Sequence, residues 1–336
     1  MGYRAEKLEI EKKIALWKRI TLIVVAVLFA GLCVFSAFVP PASWKFYVKM
    51  PKIEKLGDGE LRMHFIDVGQ GDATLIEFPD GRVALIDGGN GSDSANKALM
   101  RYINALKIKK IDYLIATHAD ADHCGGLDTV LAYEKVGMAF LPLAKSSTNE
   151  EYSSFYAAML DEECTLRYSS RKMSIVNDEY GYKLYFLYPY AADIDEKLKA
   201  EEFFEEQNES SAVIWLEYQG VSALLAGDAT TAVEENLMRD DRLGLLSNLD
   251  MRLSETDILK VSHHGSKDAS SEEFLKYLHI QTAVISCGEN NIYEHPSNET
   301  LSRLEAVNAE IYRTDILGNI SITVKDGKYQ IDTPNR

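Results

Sequence analysis

The chain opens with a long apolar stretch and then changes to short apolar runs separated by polar turns. Ile20 to Val39, ITLIVVAVLFAGLCVFSAFV, holds 20 positions without a charge. At a helical rise of about 1.5 Å per residue it spans roughly 30 Å, the hydrocarbon thickness of a bilayer. Pro40 and Pro41 follow and stop a helix. No polar stripe marks an outer face, so the pattern predicts a membrane anchor rather than a buried soluble helix. A cleaved signal peptide is the rival reading. The apolar run is long for one, and so is the lead of 19 residues.

Residues 40–60 read as a linker, with three prolines, scattered Lys and Gly57-Asp58-Gly59 at the end. Beyond it, apolar alternation and short apolar blocks predict strands at Met63–Val68, Thr74–Phe78, Val83–Ile86, Tyr113–Ala116, Tyr185–Tyr188, Ala212–Tyr218, Ser222–Ala226, Ile258–Val261, Ala283–Cys287, Ile311–Thr314 and Ile320–Val324. Helical periodicity predicts helices at Ala95–Leu106, Leu127–Glu134, Glu151–Leu160, Thr231–Met238, Ser271–Tyr277 and Glu299–Ala306. Ser271 and Ser297 stand where N-caps belong. Hairpin-like strand pairs with helices between other strands imply a layered α/β (α+β) sandwich. The expected organisation is a basic leader at 1–19, an anchor at 20–39, the linker at 40–60 and one domain at 61–336.

Composition is that of a globular protein: 336 residues, 46% hydrophobic and 26% charged, which excludes a disordered or low-complexity chain. The formal net charge of −16 excludes a wholesale electrostatic nucleic-acid binder. Its distribution changes the picture. Residues 1–39 carry six basic groups against three acidic ones, net +3, and the remaining 30 basic and 49 acidic groups give −19. A basic flank before the anchor predicts a single pass through the cell membrane, with the N-terminus cytoplasmic and the domain extracytoplasmic. Four cysteines, one of them Cys33 in the apolar run, and no C-x-x-C exclude a disulfide scaffold and a cysteine zinc site.

Candidate chemistry concentrates in Leu114–Leu127, LIATHADADHCGGL. An apolar strand ends, His118-x-Asp120-x-Asp122-His123 follows, and Gly125-Gly126 opens a helix. Four ligand-capable side chains on a short loop fixed by a strand suit a divalent metal such as Zn, Fe or Mn.

At these residues the chain resembles the metallo-β-lactamase-fold hydrolases, whose signature is His-x-His-x-Asp-His. Asp120 stands where most members carry the second His. That variant is similar to the C-terminal hydrolase domain of ComEC-type DNA-internalisation competence proteins. Other segments agree in order: His64–Ala73 (HFIDVGQGDA), Leu85–Gly89 (LIDGG), Leu224–Ala229 (LLAGDA), Val261–Lys267 (VSHHGSK) and Tyr312–Asp315 (YRTD). The resemblance implies a four-layer αββα sandwich with a site for two divalent metal ions, Zn or Mn. His118 and Asp120 would hold the first, Asp122, His123 and the His263-His264 pair the second, and Asp228 would bridge. His263 is preferred over His264 because it follows the strand directly. Relatives supply a further His to the first metal, yet no His lies between His123 and His263. Gln207–Ser211 is the substitute zone, and one of the two ions is expected to be the more weakly held.

Such a site implies a metal-activated water as nucleophile. Asp120 or Asp122 would orient it and take its proton, and His295 would protonate the leaving oxygen. Ser266 and Lys267 would bind a phosphate oxygen, while Asp67 and Asp87 would support ligands from behind. The implied function is a membrane-anchored metal-dependent hydrolase, a phosphodiesterase or nuclease acting on nucleic acid or a small diester. Hydrolysis of a small or cell-wall ester (a phosphocholine-type diester, lactone or lactam) and a non-catalytic interaction module with a vestigial metal site are the alternatives. The sequence names no protein partner.

Overall fold

A computed structural model describes residues 2–171, 173–249 and 251–333, and the side chains of residues 2–6 and 248 fall outside it. The side chains of Arg4 and Glu6 in the leader therefore fall outside the description, and the last three positions of the expected domain lie outside the described residues. The chain divides into two compact units, residues 1–49 and 50–336.

In the first unit, helix α1 (Gly2–Phe38) covers both leader and anchor. Lys7–Phe38 is long and apolar enough to cross a membrane. Its Thr21 and Ser36 hydroxyls donate to the carbonyls of Trp17 and Leu32, four residues back, so neither is left unpaired in the apolar run. A short 3₁₀ turn, Pro41–Phe46, follows.

The second unit is built from two sheets. Strands β1 (Leu61–Phe65), β2 (Thr74–Glu77), β3 (Val83–Ile86), β4 (Lys110–Ile115), β5 (Lys135–Leu141) and β6 (Thr165–Tyr168) form the first. Strands β7 (Ser174–Asn177), β8 (Tyr182–Tyr188), β9 (Val213–Tyr218), β10 (Val221–Leu225), β11 (Ile258–Lys260), β12 (Thr282–Ile285) and β13 (Glu310–Arg313) form the second. The chain then returns to the first sheet through β14 (Ile320–Lys325) and β15 (Lys328–Asp332). The strand orders are β15-β14-β1-β2-β3-β4-β5-β6 and β13-β12-β11-β10-β9-β8-β7. In each sheet one half is antiparallel, and the other, β3 to β6 or β10 to β13, is parallel.

Alternation along the strands sends one set of side chains between the sheets and the other outward. Met63, Phe65, Ile76 and Ile86 meet Leu184, Phe186, Ile214 and Leu225 in the inner core. On the outer face of the second sheet, Trp215, Leu224, Leu259 and Ile285 pack with helices α7 (Thr231–Arg242), α8 (Glu272–Leu278) and α9 (Asn298–Ala306). In the first half of the domain α2 (Asp93–Ala105) connects β3 to β4, and α3 (Ala121–Cys124) and α4 (Leu127–Tyr133) connect β4 to β5. Helix α5 (Glu150–Asp161) connects β5 to β6, α6 (Ala191–Ala200) follows β8, and α10 (Thr314–Leu317) follows β13. The result is the four-layer αββα sandwich.

The predicted caps form: Ser271 and Ser297 accept from the amides of Phe274 and Thr300. Strands β5, β6, β7 and β15 and helices α3, α6 and α10 were not anticipated. Most important for function, the carboxyl ends of the parallel strands β3, β4, β10, β11 and β12 all feed loops to one rim. In sheets of this kind that is where ligands bind.

Candidate metal centre

The β4 loop starts the site. Asp87, one residue past β3, accepts from the Thr117 amide (2.8 Å), the Thr117 hydroxyl (2.7 Å) and His123 Nδ1 (2.7 Å). Because the Thr117 hydrogen goes to Asp87, its Oγ1 accepts from His118 Nδ1 at 3.0 Å. One carboxylate thereby sets both rings in the Nδ1–H tautomer and leaves both Nε2 lone pairs pointing the other way. Asp87 thus lies behind the imidazoles.

Asp228, after β10, faces those nitrogens. His123 Nε2 is 3.1 Å from Oδ1, and His118 Nε2 is 3.8 Å from Oδ2. The Asp228 amide donates to Ser211 Oγ at 2.9 Å, so the substitute zone holds the backbone of Asp228. The other end of the β4 loop adds Asp120, whose Oδ2 is 3.5 Å from His118 Nε2 and whose side chain is 43% exposed.

After β11 the chain turns through His263 and His264, both in the left-handed region (φ 49° and 53°). His264 donates from Nδ1 to the Ser286 carbonyl at 2.9 Å, which leaves its Nε2 3.1 Å from Asp122 Oδ2 and 3.2 Å from His123 Nε2. His263 Nε2 reaches Asp228 Oδ2 at 3.7 Å from the rim. The His263 side chain is 32% exposed and that of His264 2%. The structure thus buries the second His of the pair and leaves the first at the rim, each with Nε2 3.7 Å from Asp228 Oδ2. Consecutive left-handed residues turn the second His, not the first, into the buried cluster.

The protonation energetics follow from burial and facing charge. Burial alone would raise the Asp122 and Asp228 carboxyls. For Asp122 the His264 hydrogen bond and the His123 charge outweigh it, and for Asp228 the His123 and His264 charges do. Both are held well below the usual carboxylate range. His123 moves up: burial opposes its charge, but Asp228 and Asp87 override.

Asp72 was missed. It comes from the β1–β2 loop, from which the sequence reading took only Asp67 as a site residue. Gly71 (φ +134°) lies against the histidine loop so closely that an added Cβ would be 2.4 Å from the Asp122 carbonyl. The Asp72 carboxylate lies 3.8 Å from His264 Nδ1 and 4.0 Å from His123 Nδ1, on the side of both rings away from Asp228. The buried Lys260 ammonium donates to it at 2.7 Å. Burial would raise the Asp72 carboxyl, and the Lys260 charge leads the groups that hold it down instead. A lysine inside the apolar strand Ile-Leu-Lys-Val was the available signal, since buried Lys is rare without a partner.

The remaining predicted residues lie around this cluster. His295 is half-buried, with its ring 5.6 Å from that of His263 and 6.4 Å from that of His264. Burial, and after it those two imidazoles, push its pKa down, which favours the neutral ring. Ser266 is buried and its Oγ accepts from the Asp268 amide, while Lys267 is exposed beside it. Asp67 accepts from the Gly69 amide and its own amide donates to Asn319, which shapes the loop leading to Asp72. Arg303 fixes the other side of the rim by donating to the carbonyls of Lys267, Ala269 and Ser270.

The donor set fits a divalent cation. His118, His123 and His264 each spend Nδ1–H on an oxygen acceptor, so His123 and His264 turn their Nε2 atoms toward each other at 3.2 Å. That approach needs positive charge between the rings: a proton, as the raised pKa of His123 expresses, or a cation in its place. His118 Nε2 and Asp228 Oδ1 are buried without a hydrogen-bond partner. Asp72, His123, Asp228 and His264 all offer ligand atoms within 4.8 Å of one another.

A two-sheet sandwich carrying such a rim defines a class, and the comparison with known families identifies it: residues 66–289 match the metallo-beta-lactamase superfamily, to which the chain belongs. Within it, the chain is 32% identical over 294 residues to ComE operon protein 3 of Bacillus subtilis, covering 82% of this chain and 35% of that protein. It is 27% identical over 270 residues to Recombination protein 2 of Haemophilus influenzae, covering 79% and 29%. The chain spans about a third of the length of these curated relatives. Among solved structures, the metallo-beta-lactamase fold protein YhfI from Bacillus subtilis matches with a TM-score of 0.47 and 9% identity, covering 81% of this chain and all of that one.

Proposed function

We propose that this chain is a membrane-anchored metal-dependent phosphodiesterase, with its domain outside the cytoplasmic membrane and its leader inside. The organisation read from sequence, with leader 1–19, anchor 20–39, linker 40–60 and domain 61–336, belongs to this proposal. The observation that carries it is the set of three tautomer-locked imidazoles facing one buried carboxylate, in a chain similar to competence proteins. Bound divalent ions, Zn or Mn, would lower the pKa of a water and polarise a phosphoryl oxygen.

The chain's own residues do the rest. His118 and Asp120 would hold one ion and Asp122, His123 and His264 the other, and Asp228 would serve both. His263 closes the rim. Asp120, the most exposed of these carboxylates, orients the attacking water and takes its proton, with Asp122 as the other candidate. His295 presents its ring N–H to the leaving oxygen. Ser266 and Lys267 take a non-bridging oxygen. The −19 charge of the body favours a small diester or a single strand over duplex DNA.

The test is hydrolysis by the full chain in detergent, loaded with Mn or Zn. Its substrates are bis(p-nitrophenyl) phosphate, single-stranded DNA and duplex DNA, with Asp228→Ala as control. Metal-dependent cleavage that the variant loses is the expected result. Metal binding without cleavage of any diester would overturn the reading, in favour of an ester substrate of another class or a binding role.

A further inference from the structure

The loop after β12, residues 288–296, displays two large side chains at the rim with almost nothing covering them: Ile292 is 88% exposed and Tyr293 59%. Exposure on a floppy loop would mean little, but this loop is built. The Asn291 side-chain oxygen accepts from the amides of Tyr293 (3.2 Å) and His295 (3.0 Å). Its NH₂ donates to the carbonyls of Gly288 (2.9 Å) and His295 (2.6 Å). The Gly288 amide at the base donates to Gln70 Oε1 on the β1–β2 loop at 3.2 Å.

The displayed ring is also aimed. Tyr293 stacks on His295 with centroids 5.7 Å apart and planes at 27°, and His295 stacks on His264 at 6.4 Å and 26°. A row of near-parallel rings therefore runs from solvent to the buried cluster. We propose that Tyr293, flanked by Ile292, is a stacking platform for a nucleobase next to the scissile phosphate, which makes single-stranded nucleic acid the substrate class. This rests on the phosphodiesterase reading and extends it.

The chemistry of the loop selects that occupant. Glu289 and Glu294 flank the tip, so it supplies no attraction for a phosphate or an anionic bilayer surface. What it offers is one aromatic face and one aliphatic side chain. A base in a single strand has a free π-face to match them, and a base inside a duplex does not. Stacking itself acts through the π-face of the base rather than through charge, so it is a contact that a domain with an excess of carboxylates can still offer.

The test uses the Mn-loaded full chain in detergent and the initial fluorescence anisotropy of labelled oligothymidylate, so that binding is read apart from cleavage. Tyr293→Ala is expected to weaken binding about tenfold, and Tyr293→Phe to keep it. An abasic strand of the same length, which retains the phosphates, should bind wild type and Tyr293→Ala alike. Equal affinity of wild type and Tyr293→Ala for oligothymidylate would overturn the platform. So would an equal loss on the abasic strand, which would mean that the loop had collapsed. Base-dependent binding without hydrolysis would leave the platform standing and reject the phosphodiesterase. Hydrolysis of the small diester with no dependence on Tyr293 for strand binding would do the reverse.

Discussion

Asp72 and Lys260 form a buried ion pair at 2.7 Å directly behind the imidazoles. A pair of this kind contributes little net stability, but removing one partner strands the other as an unpaired buried charge. Lys260→Met is therefore expected to lower unfolding free energy by about 3–5 kcal/mol in urea titrations. Adding Asp72→Asn should recover most of that loss. A cost under about 1 kcal/mol for the single variant would mean that Asp72 finds another counter-charge. The pair also marks what the sequence could and could not reveal at this scale. His118 to His123 follow one apolar strand and Asp228 another, and it was the order of motifs shared with the resembled family that brought them together as one site. Asp72 was hidden because Gly-Gln-Gly-Asp is also good turn chemistry. Which of His263 and His264 is buried was not legible, because side-chain direction there depends on two positive φ values, which a non-glycine sequence does not advertise.

The elements were legible where apolar residues alternate and turns are marked. Val83–Ile86 matches β3, and Leu127–Glu134 overlaps α4 to within a residue. Of the edge strands, β13 was legible and β6, β7 and β15 were not. β6 is short and largely exposed, and β15 alternates only two apolar residues, Tyr329 and Ile331, with polar ones. β5 was obscured by Lys135 and Gly137 among its apolar positions. How the elements seat against each other depends on contacts that hydrophobic pattern does not encode. Gly126, the N-cap of α4, approaches the β3 exit so closely that an added Cβ would lie 2.1 Å from the Gly88 carbonyl. Gly126→Ala must push backbone against backbone, and α4 would pull the histidine loop away from Asp87. The expected result is a domain destabilised by about 1–3 kcal/mol with weaker Mn affinity by calorimetry. Unchanged stability and affinity would show that the β3 exit gives way without disturbing the site.

At the scale of the molecule the dominant fact is charge. Residues 40–336 carry −19, and the site itself gathers Asp72, Asp87, Asp120, Asp122 and Asp228, with Lys260 paired to Asp72. Such a field draws divalent cations in and pushes polyanions away, and salt screens both effects over about 8–10 Å. A protein that binds DNA through six to ten phosphate contacts loses about 10³–10⁵ in affinity between roughly 50 and 200 mM salt, because bound counterions are released. Here the strand is to be held by a base on Tyr293 and by few phosphates, against a repelling background. Raising salt weakens the repulsion as much as the attraction. Oligothymidylate affinity at saturating Mn is therefore expected to change by less than about tenfold over that range, while Mn affinity itself falls. Anisotropy titrations at three salt concentrations decide the matter. A steep loss of strand affinity would mean that lysines such as Lys267 neutralise several phosphates, and that local basic groups rather than stacking govern how this acidic domain engages nucleic acid.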